Sequence, residues 1–314
     1  MRKLLIGRKG AALIGLMAFG LVPGLWGQDI VWRVPTDFTT IQAAIDSPLV
    51  LAGQTIVVGP GNHAGAFVTK SVEVRGEGNA VIDSGPAHSS GLIMGFRLMA
   101  GSDGASLNHL IFDVDLAVMN GAAVNDVTVD HCAFKNAIQA VSNWRGSGWV
   151  ISHNDITDLR TRDGGGIGIL IGDYAGGVVH DNLVSHNKIL GTLHVSSTDG
   201  GGYSGTGIVL YADFRWGAAG ASAIQNNRVV KNKIGLASDN PSLVEVVAIE
   251  LTDTRDDPLI IPVLFDNAIG FNDLRETLLQ ISLSPLNLDQ YNAISKNLGE
   301  NRGHGLHPKA FLRD

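Results

Sequence analysis

The sequence predicts an all-β chain folded as a right-handed parallel β-helix, a β-solenoid. Three observations carry the prediction. Two families of short similar segments recur in alternation along the chain, the segments alternate aliphatic with other residues as strands do, and 40 glycines without a long amphipathic stretch leave little room for helices.

The chain opens with Arg2, Lys3, Arg8 and Lys9, an apolar run from Ala11 to Val22, then Pro23 and a small-residue segment ending at Gly27. That order predicts a secretory signal peptide over residues 1–27 and a single domain over 28–314. The apolar run falls short of the roughly 20 residues a spanning helix needs, so no integral membrane segment is expected after processing. The expected location is the periplasm or the extracellular space. Cys132 stands alone and far from the leader, which rules out an internal disulfide and a lipoprotein anchor there. Losing four basic residues and no acidic one with the leader moves the net charge from -7 to -11. Such a surface repels phosphate backbones, and nucleic acid is excluded as a partner.

After the leader, Val34-Pro-Thr-Asp-Phe-Thr-Thr-Ile-Gln-Ala-Ala-Ile45 precedes two strand-like segments, Gly53 to Gly61 and Val72 to Gly78. The first repeat family then reads Asn182-Leu-Val-Ser-His-Asn187-Lys-Ile189, Asn227-Arg-Val-Val-Lys-Asn232-Lys-Ile234, Asn267-Ala-Ile-Gly-Phe-Asn272-Asp-Leu274 and Asn292-Ala-Ile-Ser-Lys-Asn297-Leu298. Paired asparagines five apart suit tight corners, because asparagine tolerates left-handed backbone and its amide can bond to the equivalent amide in the next coil. These asparagines are assigned to structure. The second family comprises Ile138 to Arg145, Ile169 to Tyr174, Ile208 to Arg215 and Ile249 to Arg255, with Asp173, Asp213 and Asp253 spaced by 40 residues.

Together the entry segments and the Asn-x-Ile strands resemble the pectin-lyase-like right-handed β-helix superfamily. The resemblance implies a short amphipathic helix near Thr40 to Asp46 capping the first coil. It selects no activity, since that superfamily holds lyases, hydrolases, epimerases, adhesins and non-catalytic proteins.

Between the two families lie the longest insertions, Thr157 to Gly166, Gly191 to Gly205 and Gly235 to Val246. They are expected to wall a groove beside a column formed by Asn143, Asp173, Asp213 and Asp253, with Arg145, Arg215 and Arg255 two residues after three of its members. Carboxylates one coil apart suit a cation such as calcium, or an acid and base acting on a sugar chain. The plainer reading makes them turn residues paired with the arginines. Substrate-binding candidates are Tyr174, Tyr211, Trp216, Arg160, Arg162, His194 and Tyr203, with Asp163, Asp199 and Phe214 nearby, since aromatic faces beside polar groups suit sugars. His131, His153, His180 and His186 are read as exposed strand residues whose irregular spacing makes no metal set. Gly303-His-Gly305 matches the glycine-flanked histidine of polygalacturonases, and Ser197-Thr-Asp-Gly200 and Asp256-Asp257 resemble their carboxylate motifs. Their intervals are too long and the histidine follows the last recognisable coil, so the match is read as coincidence.

The expectation is an exported protein that binds polysaccharide or another extracellular partner. The alternative is a polysaccharide lyase, glycoside hydrolase or epimerase with Asp173, Asp213 and Asp253 as carboxylates and Arg215 and Arg255 as charge stabilisers. A single cysteine and no methionine cluster offer little to a soft metal. The oligomeric state is left open.

Overall fold

The structure, a computed structural model, describes residues 30–162, 166–197, 203–215 and 222–304. The signal-peptide segment, Asp163, Asp199, Trp216, Gly305 and the side chain of Tyr203 lie outside the described residues.

Short strands stack in parallel into sheets of ten, nine, seven and three strands, the layout of a parallel β-helix. One coil shows the path. Strand Ile167–Asp173 belongs to the nine-stranded sheet, Val178–His180 to the three-stranded, Leu183–Ser185 to the ten-stranded and Lys188–Leu193 to the seven-stranded sheet, and Tyr203–Ala212 re-enters the nine-stranded one. Alternation decides which side chains point inward: Val74, Leu107, Val129, Ile151, Val184, Val229, Ile269 and Ile294 form one buried column by register. Phe112 stacks on Phe134 at 4.9 Å within the same core. In one row of the nine-stranded sheet only small residues fit, since a Cβ on Gly168 would stand 2.4 Å from the Gly207 carbonyl oxygen.

The capping helix is present as Ile41–Asp46, with Thr40 accepting a bond from the Ala43 N–H at 3.1 Å and Ile41, Ala44 and Ile45 buried. Its Gln42 side chain accepts from the Phe67 N–H at 2.8 Å and donates to the Phe67 carbonyl at 3.3 Å. Phe67 lies on Ala66–Val68, the outermost strand of the nine-stranded sheet, so the amide occupies an edge that would otherwise template another chain.

The asparagines form two buried ladders along the ten-stranded sheet. In one, Asn182, Asn227, Asn267 and Asn292 each accept from the preceding asparagine's backbone N–H or amide, beginning with the Trp149 N–H. In the other, Asn154, Asn187, Asn232, Asn272 and Asn297 do the same, beginning with the Cys132 N–H. Successive members of this second ladder, counted from Cys132, stand 22, 33, 45, 40 and 25 residues apart in sequence. Apart from Asn292, which follows Tyr291 at φ -109°, each asparagine follows a corner residue with positive φ, such as Asp181, His186, Asn226 or Lys231. Among the described residues no helix is long and apolar enough to cross a membrane.

Candidate functional site

The expected aspartate column is not one row. Register pairs Asn143 with Ile171, and it pairs both Asp173 and Asp253 with Ala212, so Asn143 falls two residues short of Asp173's row and Asp213 steps one residue past it. Asn143 instead donates to Asn182 and joins the asparagine ladder at 3.1 Å.

Each aspartate is buried and closes its own corner. Asp213 accepts from the Arg215 backbone N–H and from its Nε, both on Oδ1, at 3.1 and 3.0 Å, and from its Nη2 on Oδ2 at 3.1 Å. Asp253 binds Arg255 in the same forked way, and this pairing pushes the Arg255 guanidinium pKa up. Asp173 Oδ2 accepts from the Gly176 and Gly177 N–H groups at 2.9 and 3.1 Å and from the Ser222 hydroxyl, while Oδ1 faces Arg145 Nε at 3.9 Å. All three carboxylates are at most 2 % exposed, so they serve as turn acceptors and arginine partners, not as a solvated ladder.

The arginines in turn lie over aromatic rings. Arg145 stands 5.8 Å from the Tyr174 ring centre, Arg215 5.9 Å from Tyr211 and Arg255 4.3 Å from Phe214. Trp144 packs edge-on against Tyr174 and Tyr211 at 5.4 and 6.1 Å, and the Tyr211 hydroxyl accepts from Arg215 at 2.7 Å. A cleft of about 570 Å³ opens beside Arg145, lined also by Asn125, Asp126, Ser147 and His180.

The described parts of the insertions do not stand beside this edge. They enter at the start of the nine-stranded sheet's strands, whereas the aspartates close the strands' ends, and seven residues of strand such as Ile167–Asp173 separate the two by roughly 20 Å. The substrate-binding candidates therefore divide. Arg160 and His194 share a β-bridge on the far side, Arg160 paired with Asp115 and His194 with Asp239 at 3.1 Å, and Arg162 is exposed there. Gly235 to Val246 is mostly strand, Lys233–Ser238 and Val244–Asp253, because Leu236, Val244 and Val246 continue the buried alternation. Only Asp239 to Leu243 turns.

Two further groups stand apart from the expected column, Glu250, which the sequence reading missed, and His304, which it set aside. Glu250 points outward from the nine-stranded sheet in a row with Met119, Ser142, Leu170, Val209 and Ser282, yet is fully buried. Its carboxyl meets the hydroxyls of Thr252, Thr206 and Ser204 at 2.6, 3.0 and 3.2 Å, and burial pushes its pKa up to about 7. The available signal was an acid set between aliphatics in Ile249-Glu-Leu-Thr, where equivalent segments carry an apolar residue or serine. Second, His304 lies inside the array, not beyond it: Arg302–Gly303 pairs with Leu279–Ser284, and His304 Nε2 sits 3.0 Å from Asp256. Two of the three motif-like segments thus meet, while the third, Ser197 to Gly200, falls largely outside the described residues.

The histidines need a correction. His180 ends a strand as expected, but His131, His153 and His186 occupy positive-φ corners between strands. Asp130, His131 and His153 bring one potential donor atom each within 4.8 Å of the others, a proximity that the irregular spacing did not suggest.

No protein-family model matches the chain. It is similar to a cell surface glycoprotein of Methanothermus fervidus, 31% identical over 114 residues that make up 33% of this chain and 19% of that protein. The chain thus spans about a fifth of the length of the curated relative it matches.

Proposed function

We propose that this chain is an exported surface protein of the pectin-lyase-like β-helix kind, processed near residue 27, which holds a glycan chain along the arginine–aromatic edge of its nine-stranded sheet without cutting it. The observation that carries the reading is the run of guanidinium–ring pairs, Arg145 with Tyr174, Arg215 with Tyr211 and Arg255 with Phe214, on successive coils. The part-exposed rings of Tyr174 and Phe214 and the exposed Arg215 suit sugar rings, while the buried Tyr211 holds Arg215 from beneath. Asp213 and Asp253 fix Arg215 and Arg255, and an ion such as calcium would have to displace those arginines to use the same oxygens. The similarity to a cell surface glycoprotein supports export to the surface.

A cutting reading gains support from a different place than the aspartate column. His304 Nε2 stands 3.0 Å from Asp256 Oδ2 with both side chains part-exposed, which presents an imidazole and a carboxylate to solvent.

The test is binding and turnover of the purified mature protein on a panel of acidic and neutral polysaccharides, with and without calcium, following unsaturated-product absorbance and reducing ends. Binding without product is expected. Arg215→Lys keeps the charge but loses the fork and the stacking, and Tyr174→Ala removes a ring. Each should weaken binding about tenfold, the effect of roughly 1.4 kcal/mol. Unchanged affinity in both variants would move the glycan elsewhere, and product that disappears in His304→Ala would make the protein an enzyme.

A further inference from the structure

Four imidazoles stack along one corner of the helix. His109, His131, His153 and His186 take the same positive-φ position in successive coils, with φ of 55, 51, 54 and 57°. Their ring centres stand 5.2, 4.8 and 5.0 Å apart with near-parallel planes. In the middle of this stack lies one carboxylate. Asp130 Oδ2 is 2.5 Å from His131 Nδ1, and Oδ1 is 3.1 Å from His153 Nδ1 and accepts from the Ser152 hydroxyl at 2.6 Å.

We infer that Asp130, His131 and His153 form a binding site for a divalent transition-metal ion of the zinc class, held by two imidazole nitrogens and a carboxylate with a position left open to solvent. One donor atom from each residue falls within 4.8 Å of the others. Tetrahedral zinc with ligands at about 2.0–2.1 Å needs neighbouring donors roughly 3.3 Å apart, and each imidazole already stands within that spacing of one carboxylate oxygen, His131 of Oδ2 and His153 of Oδ1. A turn of the carboxylate and closure of the two imidazoles complete the set. A metal lies in the plane of each ligating ring, and stacked rings meet this by tilting toward one another. Both side chains have room to do so, being 51% and 48% exposed, while the coil spacing keeps their backbones where they are.

The donor set also fits the ion's chemistry. Neutral imidazole and carboxylate suit zinc, nickel or copper(II), and the Ser152 hydroxyl orients the carboxylate as outer-shell partners of metal ligands do. Simple ion pairing does not account for the arrangement. His180–Asp181 and His194–Asp239 are also histidine–aspartate contacts, each with one imidazole per carboxylate, whereas Asp130 gathers two. His109 and His186 flank the pair and supply a further imidazole on either side. The site lies on the corner between the ten- and seven-stranded sheets and is independent of the glycan reading.

The experiment is calorimetric titration of the purified, tag-free protein with Zn²⁺, joined to the visible spectrum of the Co²⁺-loaded form. One tight Zn²⁺ per chain is expected, with a Co²⁺ spectrum of tetrahedral or five-coordinate nitrogen and oxygen ligation. Asp130→Asn, His131→Ala and His153→Ala should each weaken Zn²⁺ at least tenfold, while His194→Ala leaves it unchanged. All four positions are solvent-exposed or half-buried, and matching thermal transitions would show that the variants fold. Absence of stoichiometric Zn²⁺ binding, or equal loss in His194→Ala and His153→Ala, would overturn the site.

Discussion

Replacing Asn232 by alanine should be among the most damaging single changes in this chain. Asn232 sits mid-ladder: its Oδ1 accepts from Asn187 N and Nδ2, both at 3.0 Å, and its Nδ2 donates to the Val184 and Val230 carbonyls and to Asn272 Oδ1. Alanine strands the buried Asn187 N–H and removes these bonds from a water-free interior. A buried donor left unmet costs about 1–3 kcal/mol and the other lost bonds add to it, so a total of at least about 3 kcal/mol is expected. Asn297 closes the same ladder half-buried, where water replaces what is lost, and its alanine variant should cost about 1 kcal/mol. Asn232→Asp keeps the acceptor but sets a carboxylate oxygen against Asn272 Oδ1. Its folded-state pKa is therefore raised, and its stability deficit should be small in acid and grow as pH rises. Urea unfolding supplies the total, and hydrogen exchange at the amides of Leu183–Ser185 and Arg228–Val230 locates it. If Asn232→Ala costs no more than Asn297→Ala, the ladder does not act through buried bonding.

Two further outcomes follow from buried titratable groups. Glu250 has its folded pKa raised from 4.5 to about 7 by burial, so its contribution is fully present below the unfolded pKa and lost as pH rises through the folded one. Glu250→Gln should flatten the stability profile between those values, a change of up to about 3 kcal/mol, read from unfolding midpoints at a series of pH values, and an unchanged profile would contradict the burial argument. Burial pushes the Cys132 thiol up to about 12, and its sulfur faces the Leu107 and Asp130 carbonyls. Native protein should therefore resist thiol-labelling reagents at pH 8 and react only at the rate at which the coil opens, whereas immediate labelling would place Cys132 at the surface.

The corners and strands of this fold were legible because their chemistry is local. Asn182 and Asn187 state two turns and the strand between them within six residues, and Thr40 with Ile41, Ala44 and Ile45 states a capped amphipathic helix. The candidate site was less legible because it depends on how coils of unequal length align. Asp173 and Asp213 look equivalent at 40 residues apart, yet register sets Asp173 against Ala212. The histidine stack was hidden for the same reason: His131, His153 and His186 share one corner while the intervening His180 belongs to another sheet. Glu250 was missed because its burial arises on the outer side of a sheet, where alternation predicts water.

The second asparagine ladder joins coils whose contour differs by a factor of about two, from 22 residues between Cys132 and Asn154 to 45 between Asn187 and Asn232. It works as a spine that holds the pitch while the far side of each turn is free to lengthen. Evolution can splice new sequence in after Thr161 or Leu193 without renegotiating the rise from one turn to the next, and so can an engineer. A chain built this way accumulates surface variety without having to reinvent its interior, and its loops can diversify while the spine stays still.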